Sequence, residues 1–349
     1  MKFGYKASAE QFSPSHLLEL GLMAEQAGFD SVFISDHLQP WRHHGGHAPA
    51  ALPWLGALVS ATERIIVGTS VLTPTLRYHP AVIAQAFATL GCLAPGRVVL
   101  GVGSGEAMNE APLGVPWPRP RERITRLAEA IDIIQRLWRE ERLDYAGQYY
   151  NLRQATIYDR PTVPVPLYAA ASGPVATRLA GRVADGFITT SGKGESLYTQ
   201  RLLPALATGA AEAGRTVKDL ELVMEVKVSF DPDRDRAAAD TRFWGALALS
   251  SEEKTGVEDP LVMERLADAL PLERTASRWI VSDDPEEHVE QIWRYGQMGF
   301  THLVFHAPGP DQARFLDLYS EAILPRLRAR AERDDVVSSA AKVTAGGWA

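Results

Sequence analysis

The sequence predicts a (β/α)8 barrel, and three observations carry the prediction. The chain is 349 residues long, a helix–glycine–strand junction recurs three times, and eight short apolar runs alternate with stretches of helical periodicity. A chain of this length can bury a full core, as two ordinary domains or as one large α/β unit. Alternation of strand and helix from end to end favours a closed barrel over an open doubly wound sheet.

Residues 2–6 form the first strand candidate, followed by Leu17, Leu18, Met23 and Ala24 at helical spacing. The segment QAGFDSVFIS (residues 26–35) then ends that helix at Gly28 and opens the second strand. Residues 65–69 and 98–102 supply the third and fourth strands, and Ile124, Leu127, Ile131, Ile134 and Leu137 mark the next long helix. The fifth strand falls at residues 165–169, the sixth in VADGFITTS (183–191), the seventh at 222–229 and the eighth in QMGFTHLVFH (297–306). At all three junctions the glycine is expected to stop the helix in the left-handed conformation, which only a residue without Cβ adopts freely.

Two insertions interrupt the alternation. LDYAGQYYNL (143–152) reads as a hairpin about Ala146 and Gly147, and residues 230–275 form a long, largely helical excursion after the seventh strand. One barrel domain is therefore expected over residues 1–328. The charged, then Ser- and Ala-rich tail at 329–349 is expected to be mobile.

A formal charge of −7 argues against general affinity for nucleic acid, so an anionic ligand has to be met locally. No apolar run is long enough for a signal peptide or a membrane span, and Cys92 is the one cysteine. A disulfide-free, unexported, cytoplasmic protein is expected, with Cys92 as a small buried residue.

Reactive side chains of a barrel sit just past the C-terminal ends of the strands, and these positions are unusually polar here. The second strand ends in Ser35-Asp36-His37, with Trp41 following; the third in Thr69-Ser70-Val71 and Thr73; the fourth in Gly103-Ser104-Gly105-Glu106. The fifth ends in Ala171-Ser172-Gly173-Pro174 and the sixth in Thr189-Thr190-Ser191-Gly192-Lys193. Taken singly, Asp36 reads equally well as a helix cap and His37 as a structural histidine; their shared rim favours a site. GVGSGE (101–106) is not a nicotinamide fingerprint, because its third glycine comes one residue early and it belongs to the fourth strand. Its glycines instead allow a flat ring to approach the backbone. His43, His44 and His47 lack a completing Cys or carboxylate pair, so no metal site is expected. Lys193, Lys254 and Arg278 are the candidate cations for a phosphate, each with surface solvation as its ordinary alternative.

These residues resemble the F420-dependent glucose-6-phosphate dehydrogenases of the bacterial luciferase-like superfamily. The resemblance rests on segments 4–12, SDHLQPWRHHGGHAP (35–49), GTSVLTPTLRYHPAVIAQAFATLGCL (68–93), LGVGSGEAMNE (100–110), DGFITTSGKGE (185–195), TRFW (241–244) and LVFHAPGPDQARFL (303–316), and runs to about residue 328. It implies coenzyme F420 as cofactor, a homodimer, and contacts to the deazaflavin from Asp36, Thr73, Ser104, Gly105 and Asn109. Ser172, Gly173, Val175 and Ala176 correspond to the backbone cradle for its phosphate-bearing side, and Ser70-Val71 to a non-proline cis peptide behind the ring. Ser172 stands where the family has glycine and Ser104 where threonine is common. His37, Trp41 and Glu106 correspond to the catalytic group, and Thr190, Lys193, Lys254 and Arg278 to the sugar-phosphate site.

The implied reaction oxidises glucose 6-phosphate at its anomeric carbon. The hydroxyl proton must leave with the hydride, which requires a base beside that carbon. An imidazole, with an ordinary pKa of about 6.5, suits the task. A second proton-carrying group completes the pair, and the residues allow either assignment of His37 and Glu106. Alternative expectations are another sugar 6-phosphate or methylene-tetrahydromethanopterin as substrate, a flavin monooxygenase, and a non-catalytic deazaflavin-binding protein.

Overall fold

The computed structural model describes residues 1–345, with side chains described through Asp334. In chain order the strands are β1 (Lys2–Ala7), β2 (Ser31–Ile34), β3 (Ile66–Thr69), β4 (Val98–Val102), β5 (Leu143–Ala146), β6 (Asn151–Ala155), β7 (Leu167–Ala170), β8 (Gly186–Thr190), β9 (Glu221–Phe230), β10 (Ile280–Ser282) and β11 (His302–His306). Eight of them pair in parallel in the order β1-β2-β3-β4-β7-β8-β9-β11, and β11 returns to β1, closing the (β/α)8 barrel. β5 and β6 form a separate antiparallel hairpin.

Local chemistry explains the elements. The strands are short runs rich in β-branched and aromatic residues, which suit a pleated surface covered on both sides. The helices Pro14–Gln26, Pro80–Leu93, Pro120–Arg139, Pro174–Val183, Pro260–Asp268 and Pro285–Gln297 all begin with proline, whose fixed φ and missing N–H cost nothing in a first turn. Outward strand residues such as Phe3, Tyr5, Val32, Ile34 and Val67 pack against these helices in the main core.

Inward positions follow with a period of two and divide the interior into layers. Phe33, Val99, Tyr168, Ile188, Val223 and Val304 form an apolar plug. Two residues further along each strand the character changes, to Ser35, Ala170, Thr190, Glu225 and His306, which line an open cavity at the C-terminal end. The plug thus supports a polar floor.

Gly28 and Gly299 hold φ values of +84° and +100°, the left-handed helix stops the sequence predicts. Gly186 differs: the helix Pro174–Val183 ends at Ala184 in extended conformation, and Gly186 is the first residue of β8. A Cβ there would lie 2.5 Å from the Tyr168 ring, so packing, not left-handed backbone, calls for glycine. Cys92 corrects a second expectation, because it sits on the exposed side of its helix. β10, which pairs with the end of β9, has only three residues and leaves no legible pattern in the sequence. Of the tail, residues through Ala345 continue the helix Leu324–Ala345, and the expectation for 346–349 lies outside the described residues. No described helix is long and apolar enough to cross a membrane.

Candidate active site

The cavity at the C-terminal end of the barrel measures about 490 Å³ and is lined by residues from the ends of β1, β2, β3, β4, β7, β8, β9 and β11, and by the insertion after β9. On one wall, His37 stands just past β2 with its side chain 13% exposed, its Nδ1 3.3 Å from Glu10 Oε1 and its Nε2 3.6 Å from Glu106 Oε2. Glu10, buried past the end of β1, faces the imidazole from behind; Glu106 faces it across the cavity with its side chain 47% exposed. The burial that a proton-donating Glu106 requires is therefore not supplied by neighbouring side chains alone. Trp41 completes the wall, its ring centroid 5.8 Å from that of His37.

Asn109 holds this arrangement in register. Its Oδ1 accepts from the backbone N–H groups of Leu38 (2.8 Å) and Gln39 (3.2 Å), and its Nδ2 donates to Glu106 Oε2 at 3.5 Å. One amide thus ties the loop after β2 to the loop after β4.

Asp36 lines the cavity, but its carboxylate is engaged elsewhere. It pairs with Arg77 at 2.6 Å and accepts from the N–H of Ala51, the first residue of the helix Ala51–Ala61, at 3.1 Å. Tyr78, half-buried and within 3.5 Å of the same carboxylate, is pushed up to about 12 by burial and by that charge. Asp36 is not the N-cap of a helix, since none begins beside it; it meets the helix Ala51–Ala61 from outside, through the N–H of that helix's first residue.

The opposite wall combines a tight backbone with a helix end. The peptide between Ser70 and Val71 is cis, as the resemblance implies. A Cβ on Gly103 would lie 2.7 Å from Val71 Cγ2, and Gly105 holds φ +87° beside Thr73 and Trp117, so this strip of backbone needs its glycines. Ser104 and Thr73 also line the strip. Ser172, Gly173 and Ala176 bring the N-terminus of the helix Pro174–Val183 to the cavity, and a Cβ on Gly173 would meet nothing within 4 Å. Val175 lies in the same first turn, but its side chain is 71% exposed and outside the lining.

The cations gather at the far end. Lys193 sits between Gly192 and Gly194, both at positive φ, and Thr190 is beside it at the end of β8. Arg278 donates to the carbonyl of Gly192 across the gap. Lys254, in the insertion, places Nζ 5.2 Å from the centroid of the Trp41 ring, a cation–π contact that joins the cationic end to the His37 wall. Among the described residues none of these three pairs with a carboxylate within 4.0 Å. Burial, and then the charges of Lys227, Arg278 and Lys254, push Lys193 down to about 8. Burial also lowers Lys254 and Arg278. Like charges held together without counter-ions make a receptor for an anion.

The residues that the resemblance assigns to the site therefore all line this cavity except Val175, whereas Thr69, Pro174, Ser191 and Gly192 of the strand ends do not. Lys6, Glu10, Glu225, Lys227, Trp244 and His306 also line it and escaped sequence reasoning. The signal was present in β9, where Glu221, Glu225, Lys227 and Ser229 fall at even spacing within an apolar run. Such alternation ordinarily means a solvated face; in a closed barrel it points inward. The His43, His44 and His47 loop has another use: Glu264 accepts from the backbone N–H groups of His43 and His44 and pairs with His44 Nδ1 at 3.0 Å, fastening the loop to the insertion. No cluster of metal-ligating groups occurs among the described residues.

Comparison with known proteins agrees with this geometry. The luciferase-like monooxygenase family model matches residues 1–302. The chain is 73% identical to an F420-dependent glucose-6-phosphate dehydrogenase of Beutenbergia cavernae, over 95% of this chain and 98% of that one. It is 68% identical to a protein of the same name from Nakamurella multipartita, over 94% and 97%. Among solved structures it resembles an F420-dependent secondary alcohol dehydrogenase in complex with an F420–acetone adduct, with a TM-score of 0.88 and 34% identity over 93% of this chain and 98% of that one. The chain belongs to the luciferase-like monooxygenase family and, within it, to the group formed by these F420-dependent glucose-6-phosphate dehydrogenase relatives.

Proposed function

We propose that the chain oxidises a sugar 6-phosphate, glucose 6-phosphate foremost, to the corresponding lactone, with coenzyme F420 taking the hydride from the anomeric carbon. The observation that carries this reading is the convergence, in one cavity, of the His37–Glu106 pair with three cations that lack carboxylate partners. The names of relatives at 73% and 68% identity point the same way.

The residues present fit the coenzyme. The strip at 103–105 packs on Val71 and Thr73 and lines the cavity, where it offers a backbone surface to a flat ring, and the open N-terminus of the helix Pro174–Val183 suits an anionic side chain. F420, when bound, supplies a hydride acceptor that reacts poorly with dioxygen. In this reading His37 accepts the anomeric hydroxyl proton at Nε2, while the Glu10 carboxylate, 3.3 Å from Nδ1, offsets the charge the ring gains. Glu106, held by Asn109, would give the coenzyme the proton that it needs beside the hydride, and the proton held by His37 would pass to solvent. Trp41 covers the reacting centre. Lys193, Lys254, Arg278 and Thr190 grip the remote phosphate, so that its binding energy becomes orientation at the anomeric carbon.

The test is anaerobic mixing of the protein with oxidised F420 and glucose 6-phosphate, following the coenzyme's visible absorbance. Bleaching is expected, with none from nicotinamide coenzymes and little from unphosphorylated glucose. Persistent absorbance with every sugar 6-phosphate would sink the proposal. The homodimer implied by the resemblance is checked by sedimentation, and a cytoplasmic location accords with the lone cysteine.

A further inference from the structure

The cavity floor holds a second group of polar side chains that the chemistry above does not use. Glu225 and Lys227 rise from β9, Lys6 from β1 and His306 from the end of β11, all lining the same cavity; Lys6, Lys227 and His306 are buried, and the Glu225 side chain keeps 13% exposure. Glu225 is the centre. Its Oε1 lies 3.2 Å from Lys227 Nζ and 3.8 Å from His306 Nδ1, and its Oε2 lies 3.3 Å from Lys6 Nζ and accepts from Ser70 Oγ at 3.3 Å. Lys227 also donates to Thr190 Oγ1 at 2.9 Å, which links the floor to the cationic end.

Two features separate this floor from the phosphate grip. First, its lysines share a carboxylate, whereas Lys193, Lys254 and Arg278 have none within 4.0 Å among the described residues. A dianion placed here would lie against Glu225. Burial alone would raise the Glu225 carboxyl, but Lys6 and Lys227 outweigh it and keep the group ionised. Second, both ring nitrogens of His306 are buried without a hydrogen-bond partner, although the ring is held edge-on by Trp244 (4.4 Å) and Trp279 (5.0 Å). Burial keeps that ring neutral, with a pKa of about 3, so it presents one donor and one acceptor. Buried polar atoms without partners are costly unless a ligand or water meets them.

An ammonium that donates, a carboxylate that accepts and an imidazole that does both match a set of adjacent hydroxyl groups, each of which donates and accepts. We infer that Glu225, Lys227 and His306 form a hydroxyl-reading subsite, which recognises the sugar ring between the phosphate grip and the reactive carbon and sets the choice among sugar 6-phosphates. The inference rests on the proposed function and deepens it. Charge pairing makes Lys227 the specificity residue of the group, and His306 its neutral partner.

The test uses the full-length protein with F420 and compares glucose 6-phosphate with its 2-deoxy, 3-deoxy and 4-deoxy derivatives. A site built to hydrogen-bond a hydroxyl rejects the analogue lacking it, so the wild type should lose at least about tenfold in kcat/KM for one derivative. In Lys227→Met that gap should shrink to about twofold as the KM for glucose 6-phosphate rises about tenfold. His306→Phe keeps the ring between the two tryptophans and should narrow a gap by itself, which covers the case in which the lysine variant does not fold. Competitive inhibition by inorganic phosphate, which reports on the grip alone, and F420 affinity should each stay within about twofold of wild type. Unchanged gaps in both variants overturn the inference. So does phosphate inhibition that weakens in step with KM, which puts Lys227 in the grip, or a loss confined to F420 affinity, which gives the floor to the coenzyme. All of these outcomes leave wild-type turnover intact, whereas a wild type inactive on every sugar 6-phosphate defeats the proposed function instead.

Discussion

His37 Nε2 and Glu106 Oε2 stand 3.6 Å apart across the cavity, although the two residues come from different strand ends and 69 positions apart in the chain. Asn109 makes the pairing possible, since its one amide holds both the backbone beyond His37 and the carboxylate itself. A second carboxylate, Glu10, faces the other side of the imidazole. A carboxylate therefore stands near each ring nitrogen, which offsets the charge the ring gains as a proton acceptor at Nε2.

Replacing His37 by Ala should lower kcat by about 100-fold to 10,000-fold, the usual contribution of a positioned base, while F420 affinity changes little. Glu10→Gln should give a smaller loss, because it keeps an oxygen at Nδ1 and removes only the charge. Both are measured by steady-state turnover beside fluorescence titration of the coenzyme. Wild-type turnover in the His37 variant would remove it from the catalytic group.

Lys254→Ala should raise the KM for glucose 6-phosphate at least tenfold with little change in F420 affinity, since the side chain reaches the cavity from the insertion and lies over Trp41. A comparable loss of coenzyme affinity would show that Lys254 does not act through the sugar phosphate.

Lys193 gives the phosphate site a pH dependence. Its pKa of about 8 in the free protein lies below the ordinary value, through burial and then neighbouring cations, so it loses its charge as pH rises through 8. A bound dianion favours the charged form. Hence kcat/KM should fall above about pH 8, by up to about tenfold per pH unit, toward the level left without that charge. The second ionisation of the phosphate is centred near pH 6 and is nearly complete by pH 8, so it contributes little to that limb. Lys193→Met should be low throughout and lack the limb; an unaltered limb in that variant would assign the titration to another group.

The eight barrel strands and most of the rim were legible in the sequence, because apolar runs bounded by helix stops need no tertiary information. Gly28 and Gly299 illustrate this, as their left-handed backbone is a local requirement. Gly186 was legible as a glycine but not in its reason, which is the Tyr168 ring of a neighbouring strand. The floor was hidden for the same cause. Whether Lys6, Glu225 and Lys227 meet water or one another depends on closure of the barrel, and no property of a single strand reports that. Val175 differs again: similarity assigns its backbone to the cradle, and its exposed side chain bears on that assignment neither way.

Three buried histidines make the fold sensitive to mild acid. Burial lowers His288, His302 and His306 to about 3, whereas an unfolded histidine titrates near 6.5. Between those values the unfolded chain binds protons that the native protein refuses. Stability is thus fully present above pH 6.5 and declines as pH falls, by about 1.4 kcal/mol per unit for each histidine. Carboxylates with ordinary pKa values near 4 contribute little between pH 6.5 and 5, so the decline there belongs mainly to imidazoles. The urea midpoint should fall steadily across that window. His288→Phe removes one such proton, at the cost of the 2.7 Å contact to Tyr319, so it should lower the midpoint at pH 7.5 yet flatten its slope with pH. A variant whose slope equals that of the wild type would mean that His288 accepts its proton in the native state.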